Sequence, residues 1–142
     1  MIVLDTTVLV YAVGADHPLA EPSRAIIDAA ANGRVAATTT VEVIQEFTHV
    51  RTRRRGRADA VALARAYTDL LAPLLVVDEA MLAQGLDLYS SHEQLGAFDA
   101  VLAASAIRSA ADALVSADRA FSVVAGLRFV HPAEWTGTSG AR

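Results

Sequence analysis

Short apolar runs that end in a hydroxyl or acidic residue alternate along this chain with longer stretches of helical period. Met1-Ile-Val-Leu reads as a buried strand, and Asp5-Thr-Thr7 as its exit into a turn or helix N-terminus. Val8 to Ala12 continues apolar as a short helix, and Gly14 to Pro18 reads as a loop. A helix is predicted from about Pro18 to Ala31, stopped by Asn32-Gly33, and Arg34 to Thr38 is compatible with a second buried strand. Thr38-Thr-Thr40 then offers hydroxyl caps for a helix from about Val41 to Arg53. On it Val43, Phe47 and Val50 recur at i, i+4, i+7 as an apolar face, and Glu42, Glu46, His49 and Arg53 form a polar one.

A further amphipathic helix, Arg57 to Leu71, gathers Ala60, Leu63, Tyr67 and Leu70, and Pro73 stops it. The two helices read as a hairpin with a basic tip. Leu74 to Val77 reads as a buried strand, followed by a helix from about Asp78 to Tyr89 and by loop or frayed helix from Ser90 to Gly96. Ala97 to Arg108 is an Ala-rich helix, apolar nearly all round and therefore central, with Asp99 in its first turn. Ala113-Leu-Val115-Ser-Ala-Asp118 repeats the opening grammar, and Leu127 to Val130 reads as a last edge strand. Strand and helix alternate without a long linker, which predicts one α/β domain over residues 1–135, with a mainly parallel sheet of about five strands flanked by helices. The Gly- and Ser-rich residues 136–142 read as a loose tail.

Composition narrows the chemistry. With 54% hydrophobic and 20% charged residues among 142, the chain is that of an ordinary globular domain. The absence of cysteine excludes disulfides, thiolate metal sites and cysteine nucleophiles. An aspartate at position 5 leaves no room for a signal peptide, and Asp99, Arg108 and Asp112 interrupt the most apolar stretch, Ala97 to Val115. A cytoplasmic protein without a membrane partner is expected. The formal charge is −4, yet all 12 basic residues are arginine, and Arg51, Arg53, Arg54, Arg55 and Arg57 form one cluster. Such a local basic patch suits phosphate, and these five arginines are expected to bind RNA or an acidic partner; a merely solvated hairpin is the plainer alternative.

Four acids fall where the fold directs them to one edge of the sheet: Asp5 and Asp118 at strand ends, Glu46 on the helix after the second strand, and Asp99 opening a helix. Singly, each has a plain explanation as a cap, a helix-dipole partner or a solvated residue. Together, carboxylates ~4–6 Å apart repel by a few kcal/mol per pair even at an effective dielectric of ~20, so the cluster calls for a cation. Oxygen ligands without cysteine suit Mg²⁺, or Mn²⁺, held by Asp5, Asp99 and Asp118; no organic cofactor is expected. Such ions activate water and neutralise phosphoryl charge, so phosphodiester hydrolysis with Asp5, Glu46, Asp99 and Asp118 as catalytic residues is the matching reaction.

Val3-Leu-Asp5-Thr-Thr-Val-Leu, Thr39-Thr-Val-Glu-Val-Ile-Gln-Glu46-Phe, Gly96-Ala-Phe-Asp99-Ala-Val-Leu-Ala-Ala and Ala113-Leu-Val-Ser116-Ala-Asp118-Arg-Ala-Phe121 resemble, in this order, the four motifs of PIN-domain ribonucleases. They look most like the VapC toxins of bacterial type II toxin–antitoxin modules. The resemblance implies a five-stranded parallel sheet, Mg²⁺ or Mn²⁺ dependence, endonucleolytic cleavage of RNA, homodimerisation, and inhibition by an antitoxin whose C-terminal segment occupies the active-site groove. By position it makes Asp5 and Asp99 the principal metal-binding aspartates, Asp118 the acid of the fourth motif and Glu46 the glutamate of the second. Glu42, one turn before Glu46, is then a supporting or solvated residue.

Three rival readings remain. An aspartyl-phosphate enzyme would want Asp-x-Asp or a phosphate-binding lysine, and this chain reads Asp-Thr-Thr and has no lysine. A catalytically silent RNA- or partner-binding domain on the same fold would leave the acid cluster unexplained. Glu46 and His49 have the spacing of a di-iron helix, but no second copy of that motif exists. Thr6, Thr7 and Ser116 flank the acids and serve either as caps or to orient a carboxylate.

Overall fold

A computed structural model describes residues 1–137. Its elements are β1 (Ile2–Leu4), α1 (Thr6–Ala12), α2 (Ala20–Ala31), β2 (Ala37–Thr38), α3 (Val41–Arg55), α4 (Arg57–Leu71), α5 (Glu79–Ser91), α6 (Ala97–Arg108), β3 (Ala113–Val115) and β4 (Phe129–Val130), with 3₁₀ turns at Arg119–Val123 and Pro132–Glu134. The four strands form one parallel sheet in the order β2-β1-β3-β4. Six helices flank it, so the fold is the α/β domain with a parallel sheet that the alternation of patterns predicts.

The central strands are three residues long and fully buried, as expected of parallel strands covered on both faces. Ile2, Leu4, Leu114 and Val115 meet Leu9, Ile26, Phe47, Leu71 and Phe121 in a single core. The polar end of Tyr67 is satisfied inside it by the carbonyl of Leu9, at 2.9 Å. Thr40 caps α3 by accepting from the N–H of Val43, which leaves Val43 and Phe47 on the buried face as the spacing requires. On α4 the buried stripe is Ala60, Ala64, Tyr67 and Leu71; Leu63 and Leu70 lie at its half-exposed margin.

Two expectations are corrected. Leu74–Val77 is not a strand of the sheet: it makes a single bridge, Leu75 to Thr40, and Val76 is 77% exposed. The reason is local, since Thr40 is already the cap of α3 and the partner chain turns away before a ladder can extend. The sheet therefore has four strands rather than about five. The first helix begins at Thr6 rather than Val8, so Thr6 and Thr7 are helical residues and Asp5 is the residue before the first turn. The expectation of a loose tail falls, from residue 138 onward, outside the described residues.

Two glycines matter to the frame. Gly56 joins α3 to α4 at φ +88°, a left-handed conformation that side chains resist, and this closes the basic hairpin. Gly85 lets α5 lie against α6: a Cβ there would stand 2.7 Å from the backbone and side chain of Val101.

Candidate active site

In this strand order the sheet grows from β1 toward β2 on one side and toward β3 on the other, so a crevice opens beyond the ends of β1 and β3. Asp5 leaves β1 at that crevice, and Ser116-Ala-Asp118 leaves β3. The second turn of α3 supplies Glu46 and the first turn of α6 supplies Asp99. All four acids line one cavity of about 340 Å³, together with Thr6, Thr7, Val10, Tyr11, Val50 and Arg54.

Each hydroxyl flanking the acids has a partner. Ser116 Oγ donates to Asp5 Oδ2 at 2.6 Å and accepts from the N–H of Asp118 at 3.0 Å. Thr7 Oγ1 donates to the same oxygen at 2.9 Å and accepts from the N–H of Ala117 at 3.0 Å. Two hydroxyls thus connect the turn after β3 to the carboxylate after β1, and Asp5, only 4% exposed, is held from both sides. Thr6 Oγ1 donates to Glu46 Oε2 at 2.5 Å, fixing an otherwise exposed side chain across from β1. Asp118 Oδ1 accepts from the N–H of Ala120 and so caps the turn that carries it.

The electrostatics follow from this crowding. Burial pushes the Asp5 carboxyl up from its ordinary value, opposed by the hydrogen bonds from Ser116, Thr7 and Thr6 and reinforced by Glu46. Asp99 is pushed up to about 7, first by burial and then by repulsion from Asp5, Asp118 and Glu46. A carboxyl that feels three other carboxylates at once belongs to a real cluster. Among the residues lining the cavity, Arg54 is the one cation.

No three His, Asp or Glu side chains among the described residues converge as a closed metal shell. The donor set nevertheless suits Mg²⁺ or Mn²⁺, because such hard cations keep several waters and take only one or two carboxylates plus phosphate oxygens. An open cavity lined by anchored carboxylates provides that, and a cation there would relieve the repulsion acting on Asp99.

The arginine cluster divides. Arg51 is 13% exposed in its side chain, pairs with Asp59 at 2.5 Å and donates to the carbonyl of Val13 at 3.1 Å. Its guanidinium ties α3 to α4 and to the end of α1. Arg54 lines the acid cavity, and Arg53, Arg55 and Arg57 are exposed at the hairpin tip. On α3 the cavity-facing stripe is Glu46, Val50 and Arg54, at i, i+4, i+8. It runs between the polar and apolar faces read from periodicity, since each four-residue step turns about 40° past a full helical circle. Glu42 lies elsewhere, beside a small hollow with Val77, Phe98 and Leu102, and His49 is exposed outside the acid cavity. Sequence reasoning missed Tyr11, which is one helical turn beyond Thr7. A helix starting at Thr6 was the signal that would have found it.

A small parallel α/β domain with four acids gathered where its central strands end is the architecture of the PIN domain, and the PIN domain family matches residues 2–127: the chain belongs to that family. Ribonuclease VapC7 of Mycobacterium tuberculosis (strain ATCC 25618 / H37Rv) is 52% identical over 136 residues, covering 93% of this chain and 92% of that protein. Within the PIN family the chain therefore falls with the VapC proteins. Ribonuclease VapC23 of M. tuberculosis is 35% identical over 102 residues, 70% of this chain and 78% of that one. The crystal structure of VapBC2 from Rickettsia felis, bound to a DNA fragment from their promoter, shares the fold, with a TM-score of 0.71 over 92% of this chain and 98% of that chain at 18% identity.

Proposed function

We propose that this chain is a toxin endoribonuclease that hydrolyses RNA phosphodiester bonds with Mg²⁺ or Mn²⁺ and is held in check by a cognate antitoxin. The observation that carries the reading is the convergence of Asp5, Glu46, Asp99 and Asp118 on one cavity. The ribonuclease name of VapC7, at 52% identity over nearly the whole chain, supports the substrate class.

Of Asp5, Asp99 and Asp118, one or two would hold the ion directly and the remainder through its bound waters. When bound, such an ion neutralises charge on the phosphodiester and makes water a stronger nucleophile at neutral pH. Ser116 and Thr7 keep Asp5 in one orientation, and burial keeps competing water away from it. Arg54 binds a phosphate oxygen of the strand entering the cavity. Glu46, steered by Thr6, takes the proton released by the attacking water at a carboxylate oxygen. The water oxygen bonds to phosphorus, the P–O3′ bond breaks, and the departing 3′ oxygen takes a proton from solvent, which leaves a 5′-phosphate and a 3′-hydroxyl. The test is cleavage of a mixed RNA pool by partner-free protein with Mg²⁺ or Mn²⁺ against EDTA, with the product ends mapped; 2′,3′-cyclic phosphate ends overturn the mechanism. A folded, metal-binding protein that cuts nothing in the pool is the outcome for a silent binding domain.

Arg54 and Arg51 are expected to differ. Arg54→Ala removes one phosphate contact and flattens the slope of log Kd against log salt by about 0.7 for single-stranded RNA. Arg51→Ala leaves that slope alone and lowers Tm instead, because its partners are Asp59 and the Val13 carbonyl. Binding titrations at several salt concentrations separate the two, and equal slopes for all three proteins discard the phosphate role of Arg54.

The reading includes a cytoplasmic homodimer. No helix among the described residues is long and apolar enough to cross a membrane. Leu82, Leu86 and Tyr89 form an exposed apolar stripe at i, i+4, i+7 on α5, the kind of face a second copy would cover. Sedimentation of the wild type and of Leu86→Asp checks this: a dimer that the substitution converts to monomer is expected, and a monomeric wild type rejects it. For the antitoxin, the exposed Arg53, Arg55 and Arg57 suit an acidic segment that crosses the hairpin to the cavity.

A further inference from the structure

We propose that Tyr11 and His17 form a stacking subsite for one unpaired RNA base beside the acid cavity, a subsite that rests on the ribonuclease reading above. Tyr11 lines the cavity that holds the four acids. Its ring stacks on His17, with centroids 4.3 Å apart and planes 21° from parallel. His17 is exposed, yet it is already ordered: Nδ1 accepts from the N–H of Leu19 at 3.1 Å. The stack therefore joins Tyr11, on the wall of the acid cavity, to an exposed imidazole that borders a separate hollow.

The surroundings favour a base over a phosphate at this place. His17 borders an open hollow of about 390 Å³ whose charged residues are Asp16, Glu21 and Arg24. Arg24 is committed to the carbonyls of Ala12 and Gly14, at 3.0 and 3.3 Å, and lies 3.7 Å from Glu21. Two carboxylates with one engaged cation repel a phosphate but accept hydrogen bonds from base N–H groups. Phosphate is served instead by Arg54 on the α3 wall of the acid cavity. Single-stranded RNA is commonly held in this divided way, with backbone on cations and splayed bases on aromatic rings. Because the Tyr11–His17 pair is fixed before RNA arrives, little side-chain freedom is lost on stacking.

The test uses an Asp5→Asn background, which keeps RNA whole, and measures anisotropy of two labelled strands about 12 nucleotides long, oligoadenylate and its abasic ribose-phosphate counterpart. His17→Ala is expected to weaken oligoadenylate binding about five-fold or more and to leave the abasic strand unchanged, and His17→Phe to retain binding of both. Equal loss on both strands, or loss on neither, overturns the subsite. If the unsubstituted background binds neither strand and the wild type cuts no RNA, the ribonuclease reading itself fails and the subsite falls with it. The Tm of each variant, expected to match the background because His17 is exposed, separates loss of stacking from loss of fold.

Discussion

Asp5→Asn is expected to abolish RNA cleavage, by at least about 100-fold, while the protein folds as well as the wild type or better. The size follows from what Asp5 is. Weakening a residue that only supports a metal ligand costs ~10–100-fold, and Asp5 is proposed to be the ligand itself. The fold is spared for a separate reason. Asn keeps the side-chain oxygen that Ser116 and Thr7 donate to, and it removes a charge that burial opposes. A buried carboxylate with raised pKa destabilises the protein when ionised, so neutralising it raises the Tm of the metal-free form at neutral pH. Ser116→Ala isolates the supporting role: Asp5 remains charged but loses its shortest donor, and cleavage is expected to fall about 10–100-fold. Initial rates on the mixed RNA pool, with Tm measured on the same samples in EDTA, check both. Undiminished cleavage by Asp5→Asn removes Asp5 from the mechanism.

The second large effect is a pH-dependent stability that metal reverses. The Asp99 carboxyl is pushed up to about 7 in the folded chain, from an ordinary value of 3.8 that it regains on unfolding. Between those values the folded state keeps a proton that the unfolded state has released. Stability contributed by this group is therefore highest below about pH 4 and declines as pH rises through about 7, the reverse of a salt-bridged carboxylate. At 1.36 kcal/mol per unit, and discounted for partial exposure, the loss is on the order of 2–3 kcal/mol. Asp5 shifts in the same direction. Asp59 and Glu134, lowered by Arg51 and Arg119, act in the opposite sense and only in the acid range. Mn²⁺ or Mg²⁺ should stabilise the protein little near pH 5 and most above pH 7, where the carboxylates are ionised, and cleavage should rise over the same interval. Asp99→Asn should flatten the pH slope and remove most of the metal-induced shift. Thermal unfolding from pH 5 to 8.5, in EDTA and in Mn²⁺, reads all of these; a metal shift independent of pH would contradict the proposal that Asp99 holds the ion.

Most elements were legible because their physics is local. The hydroxyl cap at Thr40, the apolar face of Val43 and Phe47, the buried run Ala113 to Val115 and the stop before Pro73 all depend on neighbours within a few residues. The helix Ala97–Arg108 matched its expected bounds for the same reason. Leu74–Val77 misled because an apolar, β-branched run states a preference for extended backbone and says nothing about whether a partner edge continues beside it.

The placement of the acids shows the same division. That Asp5 and Asp118 stand after strands, and Asp99 in a first turn, could be read from order along the chain. That strand ends carry ligands in a parallel sheet made one shared edge the natural expectation. The strand order, which sets β1 beside β3 and lets Ser116 and Thr7 grip Asp5, depends on contacts more than a hundred residues apart in sequence.

Sequence alone thus determined the α/β class, the four acids, the family resemblance and the presence of a basic hairpin, because periodicity, capping and motif order are properties of neighbouring residues. Only the tertiary structure decided that Arg51 braces the hairpin while Arg54 lines the cavity, that Glu42 lies beside a separate hollow, and that Tyr11 reaches the acid cavity with His17 stacked on it. Residues three or four apart on one helix differ in direction by only about 40–60°, so which of them meets the cavity is set by the helix's rotation against the rest of the core, which packing over the whole chain determines.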